Sequence, residues 1–158
     1  RYLIGDTVKF VNKAKSEIVI TGRTKHFLSL VGEHLSVENM NHAIQLVSEE
    51  LNISIPEFTV AGVPHDNFFA HHWYVACNDK VDATLLAQKI DNKLKELNDD
   101  YAVERNSALK AVFLDVLSEE QFMDFMKHKG KIGGQHKFPR VLKGKMLDDW
   151  QQYLKKEK

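Results

Sequence analysis

Lys137 lies in a glycine- and base-rich stretch, GKIGGQHKFPR (residues 130–140), and a lysine in that setting suits an anionic reaction centre. The glycines free the backbone, and Pro139 biases Phe138 toward extended geometry. A lysine is a point charge on a flexible stem, able to swing in where phosphate and carboxylate charges must be brought together. The same residues also fit a solvated basic turn. Asp6 closes YLIGD (residues 2–6), where an aspartate after glycine serves either as a turn residue or as an acceptor for both hydroxyls of a ribose. His71 and His72 are neighbours on an expected strand, so their side chains should point to opposite faces and cannot simply share a metal. His26, His34 and His42 fall on three different elements, and neither His-x-x-His nor Cys-x-x-Cys spacing occurs, so no metal site is expected.

These residues need elements to position them. Thr7–Val11 (TVKFV) and Glu17–Thr21 (EIVIT) are β-rich runs around the polar turn NKAKS, which predicts a hairpin. Phe27–Val31 reads as a short strand closed by Gly32. Ser36 then caps a helix whose apolar stripe is Val37, Met40, Ile44, Val47 and Leu51, with Glu38 in its first turn. Phe58–Val63 and Phe68–Cys77 read as strands joined by the turn PHDN. Asp82 caps a second helix bearing Leu86, Ile90, Leu94 and Leu97, and the polar stretch Asp99–Asn106 reads as a loop. Lys110–Leu117 is strand-like. Ser118 and Gln121 form a capping box for a helix with Phe122, Phe125 and Met126, stopped by Gly130. A last helix carries Met146, Leu147, Trp150, Tyr153 and Leu154. The expected fold class is α+β: a hairpin, then β-α-β-β-α-β-α, in a small sheet packed with helices.

Composition narrows the partners. The chain has 158 residues, 43% hydrophobic and 28% charged, enough for one core without disulfides or metals. Lysine plus arginine match aspartate plus glutamate at 22 each, which argues against a dominant nucleic-acid or anionic-membrane surface. The single cysteine, Cys77, sits in an apolar run and reads as a buried thiol, as in a cytoplasmic protein. No apolar stretch reaches membrane-spanning length, and no signal peptide is visible. The chain begins at Arg1 and runs straight into an apolar pattern, so a cut inside a longer protein is expected.

Tyr2-x-x-Gly5-Asp6 followed by Gly22-Arg23-x-Lys25, a strand, Gly32 and a helix resembles the adenylate-forming superfamily of acyl-CoA synthetases, luciferase-like enzymes and adenylation domains. Leu3 stands where that pattern usually has arginine. The later residues Leu97-Asn98, Tyr101, Arg105, Gly130 and Gln135-x-Lys137-x-Pro139-Arg140 resemble one branch of it, the auxin-responsive acyl-acid amido synthetases. His136 takes the place of a tyrosine in their Gln-Tyr-Lys-x-Pro-Arg loop. The segment from Gly22 to Ser36 is nearer the general superfamily pattern, which suggests a distant, bacterial-type member.

The resemblance implies the superfamily's mobile C-terminal domain, with residues 1–22 as the last hairpin of a preceding large adenylation domain and residues 23–158 as the lid. It implies that Asp6 and Arg23 hold the ATP, that Lys25 is the hinge, and that Lys137 acts in adenylation with Gln135 and Arg140 supporting its loop. It would also turn Glu33 and His34 toward the active site in the second conformation. In the whole protein, a carboxylic acid would be adenylated by ATP with Mg, both held mainly by the other domain, and the acyl group passed to an amino-acid amine. The fragment alone should be inactive, since it has no Ser-, Thr- and Gly-rich phosphate loop. An acyl-CoA ligase domain and a non-catalytic interaction module of the same fold remain alternatives.

Overall fold

The computed structural model describes residues 6–23, 27–130 and 137–156. Its first element is the expected hairpin, β1 (Asp6–Asn12) paired antiparallel with β2 (Glu17–Arg23). The turn is closed by Asn12 Oδ1, which accepts from the Lys15 amide at 3.1 Å, and Ser16 has a positive φ of 55°. Val8, Phe10, Val11, Ile18, Val19 and Ile20 of this hairpin are all 44–69% exposed.

The run Phe27–Val31 is a strand only at β3 (Phe27–Leu28), which pairs with β4 (Leu35–Ser36). It stops there because the Glu33 carboxylate takes the Leu30 and Val31 amides that a longer ladder would use. Helix α1 (Val37–Leu51) starts at Ser36 in a full capping box with Asn39 and buries Met40, Ala43, Ile44 and Val47.

Strands β5 (Phe58–His65) and β6 (Phe68–Ala76) form an antiparallel pair turned at Asp66, φ 50°. Asp82 caps α2 (Ala83–Leu97). The stretch Asp99–Asn106, expected as a loop, is helix α3. Asn98 caps it, accepting from the Tyr101 amide at 2.8 Å, and Tyr101, its one buried side chain, fastens it to α2. Strand β7 (Leu109–Leu117) runs parallel to β6, and α4 (Glu119–His128) has its expected Ser118–Gln121 box and ends before Gly130, φ 69°. The chain closes with β8 (Val141–Leu142), parallel to β5, and α5 (Gly144–Lys156).

The four-stranded sheet has the order β7-β6-β5-β8 and separates two cores. On one side Phe58, Val60, Trp73 and Val75 meet α1, α2 and Tyr101 of α3. On the other, Ala61, Tyr74 and Ala76 meet α4, α5, Phe138 and Leu142 around the fully buried Trp150. Each large apolar side chain removed from water in this way contributes about 1.5–3 kcal/mol. Cys77 is buried, its Sγ 3.7 Å from the Asp79 carbonyl oxygen. Among the described residues no helix is long and apolar enough to cross a membrane.

Candidate active-site lid

Lys137 is exposed, and the three residues that follow it are fastened. Phe138 is 5% exposed and sits in an aromatic box, with ring centroids 4.9 Å from Phe122, 5.1 Å from Trp150 and 5.9 Å from Phe125. The Pro139 carbonyl accepts from Thr59 Oγ1 at 2.7 Å, and the Arg140 carbonyl accepts from the Val60 amide at 3.0 Å. The Arg140 guanidinium donates to the Phe58 carbonyl at 2.9 Å, pairs with Glu57, and lies 4.2 Å from the Phe58 ring centroid. Burial lowers its pKa from the ordinary guanidinium value, yet an arginine stays charged. Box, backbone bonds and guanidinium therefore form a pedestal on β5 that holds an ammonium group out to solvent.

Asp6 and Arg23 are Cα partners in the hairpin register, so the fold sets these two sequence-selected residues side by side at the hairpin's open end. Lys25 and Gln135 lie outside the described residues.

The adjacent histidines take opposite faces, as the strand period requires, and each meets its own carboxylate. On the face that carries Tyr74, His72 Nε2 is 2.9 Å from Asp115 Oδ2, and its Nδ1 is 3.4 Å from the Tyr74 hydroxyl. On the face packed against α1 and α2, His71 Nε2 is 3.0 Å from Glu33 Oε1, with both side chains fully buried. Burial alone would raise the Glu33 carboxyl, but the His71 bond and the Val31 and Leu30 amides outweigh it and bring it down to about 2. The Glu33 side chain is thus an internal fastening, turned into the core and not out to solvent. His34, beside it, is exposed and lies 3.5 Å from Asp100.

Tyr101 and Arg105, read above as family signals, hold the fold. Both bond to Asp91 Oδ1 at 2.7 Å, and Arg105 also reaches Asp91 Oδ2 at 3.1 Å. Burial pushes the Asp91 carboxyl up, while Arg105, Lys95 and Tyr101 together bring it below its ordinary value. Among the described residues no group of three or more His, Cys, Asp or Glu could hold a metal ion.

Sequence reasoning missed Glu33–His71, Glu57 and Thr59. The signal available for Glu33 was weak: a carboxylate next to Gly32, whose φ of 117° marks a turn with free amides to cap.

Comparison with known proteins agrees with this fold. The model for the GH3 family C-terminal domain matches residues 38–145. A solved structure titled GH3.15 acyl acid amido synthetase superposes with a TM-score of 0.73 at 15% identity, over 95% of this chain and 30% of that one. The complex titled AtGH3.15 acyl acid amido synthetase in complex with 2,4-DB gives the same TM-score at 16% identity, again over 95% and 30%. The acetoacetyl-CoA synthetase from Streptomyces lividans overlays at a TM-score of 0.43, with 13% identity over 98% of this chain and 22% of that one. No curated protein sequence matches the chain significantly. This chain thus spans about a third of the amido synthetase structures it resembles.

Proposed function

Because the chain belongs to the GH3 family as its C-terminal domain, we propose that it is the lid of a larger ATP-dependent acyl acid amido synthetase. The observation that carries this reading is the pedestal: Lys137 is exposed while Phe138, Pro139 and Arg140 are held by the sheet and the aromatic box. A protein has little reason to fasten the base of a loop this thoroughly unless the residue it carries must arrive at one place.

The first half-reaction brings a substrate carboxylate against the α-phosphate of ATP. A carboxylate oxygen bonds to phosphorus, the bond to the β-phosphate oxygen breaks, and pyrophosphate leaves with its electron pair. Negative charge is concentrated as the bond forms, and an ammonium held there only in the closed state lowers the barrier more than it tightens ground-state binding. In the second half-reaction an amino-acid amine attacks the acyl carbon and loses a proton, and AMP departs. The lid would turn between the two steps. Asp6 would accept from the ribose hydroxyls and Arg23 would bind beside it, which fits their pairing in the hairpin. Magnesium would arrive with the nucleotide and be held mainly by the rest of the protein. The exposed apolar side chains of β1 and β2 support assigning this hairpin, residues 1–22, to the preceding domain.

The test is to measure the half-reactions separately in the full-length protein. Lys137→Ala should slow ATP–pyrophosphate exchange on the order of 10²–10³-fold with little change in ATP affinity. Acyl transfer from a chemically made acyl-adenylate should survive. Equal loss in both half-reactions, or in neither, would remove Lys137 from the adenylation step and the reading would lose its support.

A further inference from the structure

The turn between β3 and β4 is seated on one cross-strand pair of the main sheet, Gly62 of β5 and His71 of β6. Leu30 covers Gly62 so closely that a Cβ there would come within 2.4 Å of Leu30 Cδ1. Three residues on, Glu33 reaches His71 Nε2 at 3.0 Å and caps the turn itself, accepting from the Leu30 amide at 2.9 Å and the Val31 amide at 3.0 Å. Two further bonds tie the ends of the turn. Lys143 Nζ, at the β8–α5 junction, donates to the Phe27 carbonyl at 3.1 Å, and Asn98 Nδ2 donates to the His34 carbonyl at 3.4 Å.

A buried carboxylate must recover the cost of leaving water through its hydrogen bonds, and those bonds hold only in one arrangement of the turn. Its strength lies in specifying one geometry. Here that geometry is placed where it matters for Lys137. The turn lies between the hairpin and α1, and it rests on β5, the strand whose Thr59 and Val60 carry the lysine's pedestal.

We propose that Glu33 and Gly62 are positioning residues, latching the turn onto the sheet so that the lid moves as one body from Phe27 onward and carries Lys137 with it. The latch rests on the lid reading above. Glu33 never meets substrate; it acts through His71. Gly62 acts by having no side chain, which leaves room for Leu30. A looser turn would let the sheet lag behind any rotation upstream, and Lys137 would reach its target displaced. Displacements of about 1 Å remote from the chemistry can cost on the order of 10²-fold in rate.

The experiment uses the full-length protein and four variants: Glu33→Gln, Gly62→Ala, Leu30→Ala and the pair Gly62→Ala/Leu30→Ala. Glu33→Gln and Gly62→Ala should each lower kcat of adenylation by about ten- to a hundredfold, with KM for ATP changed by less than about threefold. The pair should recover much of the loss seen in Gly62→Ala, since removing the Leu30 side chain removes the clash. Unchanged kcat in Glu33→Gln and Gly62→Ala, or a pair no better than Gly62→Ala alone, would overturn the latch. Hydrogen exchange supplies a readout that does not depend on turnover. In the parent protein the Leu30 and Val31 amides should exchange with the β5–β6 amides as one unit, and in Glu33→Gln they should exchange faster than that sheet. Leu30 and Val31 amides already faster than the sheet in the parent would overturn the latch, whereas a parent that forms no acyl-adenylate but shows joint protection would overturn only the lid reading.

Discussion

Glu33 and Asp6 show how differently one functional group behaves in two settings. Glu33 is fully buried, and its carboxyl is brought from 4.5 to about 2. A carboxylate with a depressed folded-state pKa adds stability that is complete above its unfolded value and is lost as the pH falls from there through about 2. The shift corresponds to something on the order of 3 kcal/mol. Denaturant titrations at pH 7 should therefore find Glu33→Gln less stable by about that amount, and the gap should narrow steadily below about pH 4.5. Asp91, also lowered, adds to the acid sensitivity in the same direction. For Asp6 the question is ligand or fold. If it accepts from a ribose, Asp6→Ala should weaken ATP binding to the full-length protein by about 1.5–3 kcal/mol and leave the melting temperature in place. Calorimetric titration and a thermal melt decide it, and unchanged affinity with a lower melting temperature would make Asp6 a turn residue.

Among the elements, the segment from Lys137 to Leu142 is the one on which the proposed adenylation role rests. Phe138→Ala would empty the aromatic box and should cost about 3–5 kcal/mol, read as a drop in denaturant midpoint. Arg140→Ala should slow adenylation less than Lys137→Ala, since Arg140 is engaged with Glu57 and Phe58 and works only through the loop. Elements with strong periodicity were legible in the sequence: the stripe of α1, the Asp82 cap, the capping box of α4, and the two long strands around Asp66. Helix α3 was not, because its polar surface gives no stripe. Its stability comes from Asn98 at its start and from Tyr101 and Arg105 reaching back to Asp91 on α2, a contact that only the folded pair of helices makes. Strand β3 was overread because an apolar run cannot report that Glu33 claims its amides. Of the candidate site, the lysine and its proline-arginine tail could be picked out by residue type, but the pedestal beneath them could not. Thr59 and Glu57 look ordinary until β8 is laid against β5.

On the scale of the molecule, the helices and the four-stranded sheet make a self-sufficient layer structure with two cores, while the β1–β2 hairpin has a different character. Among the described residues its strands pair only with each other, and its apolar side chains from Val8 to Val11 and Ile18 to Ile20 are exposed. That has a consequence at the bench. A two-stranded ribbon with open edges and exposed valine, isoleucine and phenylalanine is a template on which other copies can assemble edge to edge. A solution of this chain by itself should therefore scatter light increasingly with concentration and salt, as like ribbons find one another. Replacing Phe10 and Ile20 by threonine should keep the β-propensity, remove the stickiness and raise the concentration at which turbidity begins. Turbidity unaffected by these substitutions would place the sticky surface elsewhere. In a cell, the same ribbon would make any proteolytic product that ends near it a client for chaperones, its lifetime set by how quickly that surface is covered.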